Sequence, residues 1–293
     1  MSWRDGYIAV DWGTTNRRVY AVAADGRVTQ EFEDERGILA MERGEFEGAA
    51  QALRDRLGDR PMLLAGMVGS NRGWAEAPYV PCPAGAAEIA RAIRWIEPGR
   101  TGIVPGVSQA GAAGADVMRG EEVQVVGAAA AGMVPADGLV CHPGTHAKWL
   151  RLEGGRIVSF QTMMTGEMFA LLSKHSILSD QLQGAVSADS NFLEGAAAGL
   201  GRDTLLSDLF RIRARHLLGE SGGDSTSYAS GLLIGSDVRG GLGLHSGGTI
   251  ALVGRPDLCA LYAAVLGRAG HESIEVDGAA AFLAGMNMLT EML

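Results

Sequence analysis

The apolar positions of this chain fall into short runs of strand length and longer runs at helical spacing. Near the N-terminus Ile8-Ala9-Val10-Asp11-Trp12 reads as a strand, Gly13-Thr14-Thr15-Asn16 as a tight turn and Arg17–Tyr20 as the returning strand. Asp25-Gly26 then turns the chain into Val28–Phe32, because that dipeptide tolerates positive φ angles. Phe46, Ala49, Ala50, Leu53 and Leu57 lay one apolar stripe along a helix over 45–57. Pro61–Gly66 has the length and continuous apolar character of a buried parallel strand. The spacing predicts a helix over 85–96 with Ile89, Ile93 and Ile96 inward, and a strand over 101–104. A small-residue lead at 111–115 then opens the way to Asp116 and a helix that runs to Ala131.

The opening layout occurs twice. Leu139–His142 reads as a strand, Pro143-Gly144-Thr145-His146 as a turn and Ala147–Leu150 as the returning strand, with Gly144-Thr145 offset from Gly13-Thr14 by 131 residues (144 − 13). The second copy also ends in a glycine turn, Glu153-Gly154-Gly155-Arg156. Helical runs follow near 167–173, 191–200, 203–218 and 227–238, the last two separated by a polar loop over 219–224. A strand at 250–253, a helix over 258–266, a strand at 273–276 and a last helix over 278–289 complete the chain. Pro135-Ala136-Asp137-Gly138 is the boundary, turn residues between two periodic regions. Two similar hairpin-led halves imply two α/β domains facing each other across a nucleotide.

The two turns carry the chemistry. Gly13 lets backbone approach a ligand, and the hydroxyls and amides of Thr14 and Thr15 can donate to phosphate oxygens, unless the turn is purely structural. Asp11, at the strand end, suits a hydrated Mg²⁺. Gly144 and Thr145 repeat the phosphate-type turn; Lys148 is either a phosphate contact or a solvated strand residue. His142 stands where the first copy has Asp11, so the second turn should not hold metal. Asp116 reads as either a structural N-cap or a general base at the head of a helix, with Asp11 the second candidate base. The segment Ser70-Asn71-Arg72-Gly73-Trp74 follows a parallel strand, the place where open α/β sheets bind ligands. Thr165-Gly166-Glu167 is either a capped helix start or a substrate contact, and Met163, Met164 and Met168 read as core or cleft filler.

Two phosphate-type hairpins half a chain apart resemble the sugar kinase, actin and heat-shock chaperone ATPase superfamily. That resemblance implies two actin-like, ribonuclease H-like domains with a cleft between them. Residues 1–135 and 278–293 would form the substrate-side domain, and 136–277 the nucleotide side. It also gives Gly254-Arg255-Pro256 the look of the adenosine turn, and places Asp116 where glucokinase-type enzymes carry their general base. Five blocks are more specific: Asp-Trp-Gly-Thr-Thr-Asn-Arg-Arg at 11–18, Ala-Gly-Met-Val-Gly-Ser-Asn-Arg-Gly-Trp at 65–74, Asp-Val-Met-Arg-Gly-Glu-Glu at 116–122, Pro-Gly-Thr-His-Ala-Lys-Trp at 143–149 and Phe-Gln-Thr-Met-Met-Thr-Gly-Glu at 160–167. Together they resemble the 2-dehydro-3-deoxygalactonokinase family; no motif is recognised over 203–245. Membership implies ATP- and Mg²⁺-dependent phosphorylation of 2-dehydro-3-deoxy-D-galactonate at its terminal hydroxyl in galactonate breakdown. The sugar acid would sit near Asn16, Arg17, Arg18, Ser70, Asn71, Arg72 and Trp74, with His146 and Glu167 in reach. Arg72 would then hold the substrate carboxylate, or else pair with a structural one.

Composition narrows the field. Of 293 residues, 47% are hydrophobic and 20% charged, an ordinary globular balance, and the 43 glycines sit mostly at strand ends and helix starts. A formal charge of −9 disfavours nucleic-acid and anionic-membrane partners. Three cysteines without paired spacing fit a reducing compartment, and no apolar run reaches membrane-spanning length, so a cytoplasmic protein is expected. An ATP-gated binding protein of the actin or chaperone kind, or a glucokinase-like or pantothenate-type kinase, would share the turns. The oligomeric state stays open, a homodimer included.

Overall fold

Two sheets with the same strand order organise the chain. In the computed structural model, which describes residues 2–111, 114–220, 223–244 and 248–293, the first is built from an antiparallel meander, β1 (Tyr7–Trp12), β2 (Arg17–Val22) and β3 (Val28–Asp34). Helix α1 (Phe46–Leu57) crosses over to β4 (Met62–Gly66), which lies parallel to β1. After β5 (Tyr79–Pro81) and α2 (Ala86–Arg91) come β6 (Arg94–Glu97) and β7 (Thr101–Ile103), giving the order β3-β2-β1-β4-β7-β6. β8 (Gly106–Gln109) and β9 (Asp116–Met118) join β5 in a separate three-stranded sheet, and α3 (Glu121–Ala130) follows.

The second sheet starts with β10 (Gly138–His142), β11 (Ala147–Glu153) and β12 (Arg156–Met163). Helices α4 (Thr165–His175), α5 (Ser190–Gly201), α6 (Leu205–Leu217) and α7 (Ser225–Leu242) precede β13 (Ile250–Gly254), α8 (Pro256–Arg268) and β14 (Ser273–Asp277); α9 (Gly278–Thr290) ends the chain. The sheet order is β12-β11-β10-β13-β14, with β13 parallel to β10 as β4 is to β1.

Contacts divide the chain into two units: Met1–Ala136, Glu153–Ser159 and Ala279–Leu293, and Asp137–Leu152 with Phe160–Gly278. The first core is set by Ile8, Val10 and Trp12 of β1 and Met62 and Leu64 of β4 against the Phe46–Leu57 stripe. The ring centroids of Trp12 and Phe46 are 5.5 Å apart. α9 belongs to this unit: the Tyr7 hydroxyl donates to Asn287 Oδ1 at 2.7 Å, and Phe282 meets Tyr20 at 5.9 Å. Segment 153–159 belongs there too, because Ile157 and Ala84 exchange backbone hydrogen bonds of 2.9 and 2.8 Å and Arg156 donates to Pro83 O. The second unit packs α5 and α7 so closely that a Cβ on Gly195, Gly231 or Gly235 would overlap backbone of the opposite helix. These glycines thus serve helix packing rather than element ends.

Three expectations need correction. The helix expected over 85–96 ends at Arg91, and Arg94–Glu97 is an edge strand paired with β7, so Ile96 belongs to the sheet. Asp116 is not an N-cap: it lies in β9 opposite Gln109, and Gly120, at φ +111°, occupies the cap before α3. Met164 and Met168 are exposed rather than core, whereas Met163 packs against the second core. Of the 111–115 lead, Ala112 and Ala113 lie outside the described residues, as do Ser221 and Gly222 of the 219–224 loop and His245 of 203–245. Among the described residues no helix is long and apolar enough to cross a membrane.

Candidate active site

The turn between β1 and β2 is pinned from behind. The amides of Gly37, Ile38 and Leu39 donate to the carbonyls of Thr15, Gly13 and Thr14 at 2.8, 3.0 and 3.1 Å. Gly37 lies so close that a Cβ there would overlap Thr14 and Thr15 backbone. With their carbonyls tied down, Thr14 and Thr15 keep amides that have no acceptor among the described residues, and both side chains are exposed. Fixed, unclaimed amides in a glycine turn form an anion-binding concavity.

The turn between β10 and β11 has the same support from a different segment. Glu167 N donates to Thr145 O at 2.9 Å, and a Cβ on Gly166 would lie 2.6 Å from Gly144 O and 2.8 Å from Thr145 Cα. The amides of Gly144, Thr145 and His146 are likewise unclaimed among the described residues. His146 Nε2 pairs with Glu167 beside the turn. Lys148 is 3% exposed, so it is no solvated strand residue; its Nζ donates to His146 O at 3.1 Å. Gly254, at φ +155°, comes within reach of Pro143, whose O would be 3.6 Å from a Cβ there. The β13–α8 turn therefore abuts the β10–β11 turn. Exposed Arg255 is bonded to Asp257 at 3.1 and 2.6 Å.

On the first unit, Asp11 is the penultimate residue of β1 and lies beside bare backbone. A Cβ on Gly66 would sit 3.4 Å from Asp11 Oδ1, and one on Gly120 would sit 3.3 Å from Gly66 Cα, so the head of α3 meets the end of β4. Burial pushes the Asp11 carboxyl up to about 6, with Arg18 opposing the rise and Glu121 and Glu33 adding to it. Burial also pushes Glu122 up to about 8; its carboxylate accepts from Gly120 N at 2.7 and 2.9 Å. Asp116 is partly exposed, and its Oδ1 accepts from Val117 N at 2.8 Å.

The arginines separate by environment. Arg17 does not face solvent: it is 3% exposed, bonded to Asp34 at 3.2 and 2.6 Å, and lies 4.8 Å over Trp12. The strand register sets Arg17 opposite Asp34, and its Nη1 is buried with no hydrogen-bond partner among the described residues. Arg18 and Asn16 both reach Glu33, at 3.2 and 2.8 Å. The Arg72 guanidinium is exposed and has no side-chain partner among the described residues, so no structural carboxylate claims it. Ser70 Oγ accepts from Arg72 N at 3.3 Å, Asn71 O accepts from Arg43, and Trp74 stacks on Phe46 at 6.5 Å.

Matching sheets, each with a pinned glycine–threonine turn at the head of its first hairpin, define an actin-like ATPase fold. Component A of an (R)-2-hydroxyglutaryl-CoA dehydratase from Acidaminococcus fermentans shares it, with a TM-score of 0.55 at 12% identity over 98% of both chains. The chain belongs to the 2-keto-3-deoxy-galactonokinase family, whose model matches residues 11–289, and so it is a kinase. It is 35% identical over 289 residues to the 2-dehydro-3-deoxygalactonokinase of Escherichia coli K12, covering 97% of each chain. A Rhizobium meliloti strain 1021 protein assigned as 2-dehydro-3-deoxygalactonokinase DgoK1 is 37% identical over 297 residues, covering 96% of this chain and 95% of that one. A crystal structure of a Sinorhizobium meliloti protein assigned to the same activity superposes with a TM-score of 0.88 at 34% identity, covering 98% of both chains.

Proposed function

We propose that the chain transfers the γ-phosphoryl group of ATP to the 6-hydroxyl of 2-dehydro-3-deoxy-D-galactonate. The observation that carries this is the pair of glycine–threonine turns with carbonyls bound inward and amides left for a ligand. In this reading Gly13, Thr14 and Thr15 and the second set, Gly144, Thr145 and Lys148, contact the phosphates, and Gly254 and Arg255 the adenosine. Asn16, Arg18, Ser70, Asn71, Arg72 and Trp74 receive the sugar acid, with His146 and Glu167 at its phosphate end. Arg17 supports the first turn from within.

The hydroxyl oxygen attacks the γ-phosphorus, the bond from that phosphorus to the β-bridging oxygen breaks, and ADP leaves. Asp116 accepts the hydroxyl proton; positioning and charge stabilisation supply most of the acceleration in such transfers. Asp11 is the second candidate base, since a carboxyl raised to about 6 titrates close to the working pH. Its carboxylate beside the bare backbone of Gly66 also fits a hydrated Mg²⁺ held through one protein oxygen, which would neutralise phosphate charge. Among the described residues no three His, Cys, Asp or Glu side chains converge as a metal cage, so water and phosphate would complete that shell. The reading places the enzyme in the cytoplasm, a placement to which the free thiols of Cys82, Cys141 and Cys259 are suited.

Turnover of ATP with a panel of acceptors tests it. The sugar acid should be phosphorylated one-for-one with ADP release, while glucose and pantothenate are not. Equal rates with a neutral hexose, or ATP hydrolysis without a phosphorylated acceptor, would sink the reading.

A further inference from the structure

Asp237 stands in the middle of α7, 5% exposed, and receives three side-chain hydrogen bonds. Trp149 Nε1 donates to its Oδ1 at 2.6 Å; the Tyr262 hydroxyl donates to its Oδ2 at 2.6 Å, and the Thr165 hydroxyl donates to the same oxygen. A carboxylate withdrawn from water is costly unless donors take up its lone pairs, and here they do.

The three donors come from three different parts of the second unit. Trp149 lies on β11, the strand that leaves the Gly144-Thr145 turn. Thr165 is the first residue of α4, next to the Gly166 that lies under that turn. Tyr262 is on α8, which starts at the Gly254-Arg255-Pro256 turn. We propose that Asp237 is a positioning residue for the nucleotide, one buried carboxylate that holds the phosphate turn and the adenosine turn in a single register. This rests on the nucleotide reading above.

The arms can be cut separately. Thr165→Val removes the bond to α4, and Tyr262→Phe the bond to α8. Asp237→Asn keeps the volume but disturbs both: its oxygen must face Trp149, whose indole only donates, so its amide faces two hydroxyls that then lack an acceptor. Binding of β,γ-imido-ATP and of adenosine is measured by calorimetry, with the melting temperature of each variant. Thr165→Val should weaken imido-ATP at least ~5-fold while adenosine stays within about twofold, because its arm supports the phosphate turn alone. Tyr262→Phe should weaken both probes alike, and Asp237→Asn should weaken imido-ATP at least ~10-fold. If Thr165→Val lowers the melting temperature and weakens both probes alike, its role is merely structural, and that result overturns the proposal. Should Asp237→Asn fail to fold, the two hydroxyl variants decide. A wild type that binds imido-ATP, with all three variants binding equally well, overturns this proposal alone; a wild type that binds none overturns the nucleotide reading with it.

Discussion

Gly166→Ala offers a direct test of the second turn. The added methyl would lie 2.6 Å from Gly144 O, 2.8 Å from Thr145 Cα and 3.1 Å from Gly144 C, all backbone atoms that no rotamer change can move aside. Restoring a normal separation of about 3.5 Å requires a displacement of roughly 1 Å, by either the turn or the start of α4. Overpacking of this size costs about 1–3 kcal/mol, partly offset by up to ~1 kcal/mol from the better helix propensity of alanine. Stability should therefore fall by no more than about 3 kcal/mol, too little to unfold a chain of ordinary stability. Catalysis should suffer more, since a 1 Å misplacement of a positioning group can cost on the order of 100-fold. Steady-state kinetics should show kcat/KM for ATP reduced at least ~10-fold with a folded protein. Gly201→Ala is the control, because a Cβ there meets nothing within 4 Å. A Gly166→Ala enzyme with kcat/KM for ATP within twofold of wild type would remove the Gly144-Thr145 turn from the phosphate site.

Three further outcomes follow from the same geometry. Asp116→Asn should leave ATP binding nearly intact and lower turnover at least ~100-fold; a variant that keeps more than about a tenth of the wild-type rate shifts the base to Asp11. Arg72→Ala should raise KM for the sugar acid at least ~10-fold, about 1.4 kcal/mol, with KM for ATP within twofold; a change confined to ATP would place the substrate carboxylate elsewhere. Glu122 has its folded pKa raised from 4.5 to about 8, so across that window the folded chain keeps a proton the unfolded chain has released, and stability falls as pH rises. Denaturant unfolding at about pH 6 and about pH 9 should show that loss in wild type and a flatter profile in Glu122→Gln.

The meanders were legible because each combines glycine turns with an apolar first strand, and the α1 stripe because Phe46, Ala49, Leu53 and Leu57 all bury. The three-stranded sheet was not, since Tyr79-Val80-Pro81 and Asp116-Val117-Met118 are too short to show a period. That omission is what turned Asp116 into an expected helix cap. Ile89, Ile93 and Ile96 matched helical spacing although the chain changes structure between them, and Ile96 sits at the irregularity between Trp95 and Glu97 in the edge strand, packed against the first core. Arg17 had a readable partner, because the hairpin that turns at Asp25-Gly26 brings Asp34 opposite it. Asp237 left a fainter trace, the one acid in a helix that is mostly apolar and small residues, with Arg239 its other charge. Which donors surround it depends on tertiary packing. Gly37 and Gly166 carry no signal beyond being glycine, since the overlap that requires them is with a distant turn.

The two hairpins repeat a backbone while differing in charge at matched positions. Near the end of each first strand a matched residue faces a cation on the returning strand: Asp11 pairs with Arg18, and His142 with Lys148. In the first unit the pair contains an acid, and Glu33 draws Arg18 and Asn16 to the same side. Such a site can hold a proton or a hydrated cation but is poorly suited to a second anion without one. In the second unit the acid is replaced by histidine, and buried Lys148 is directed at the carbonyl of His146 within the turn. Its charge would, on the proposed reading, reinforce the unclaimed amides toward a polyphosphate. On the proposed reading the duplication therefore assigns binding of the nucleotide phosphates mainly to the second turn. The first turn keeps the acid near the transferring group, and that asymmetry is what a phosphotransferase needs and a symmetric anion clamp would lack.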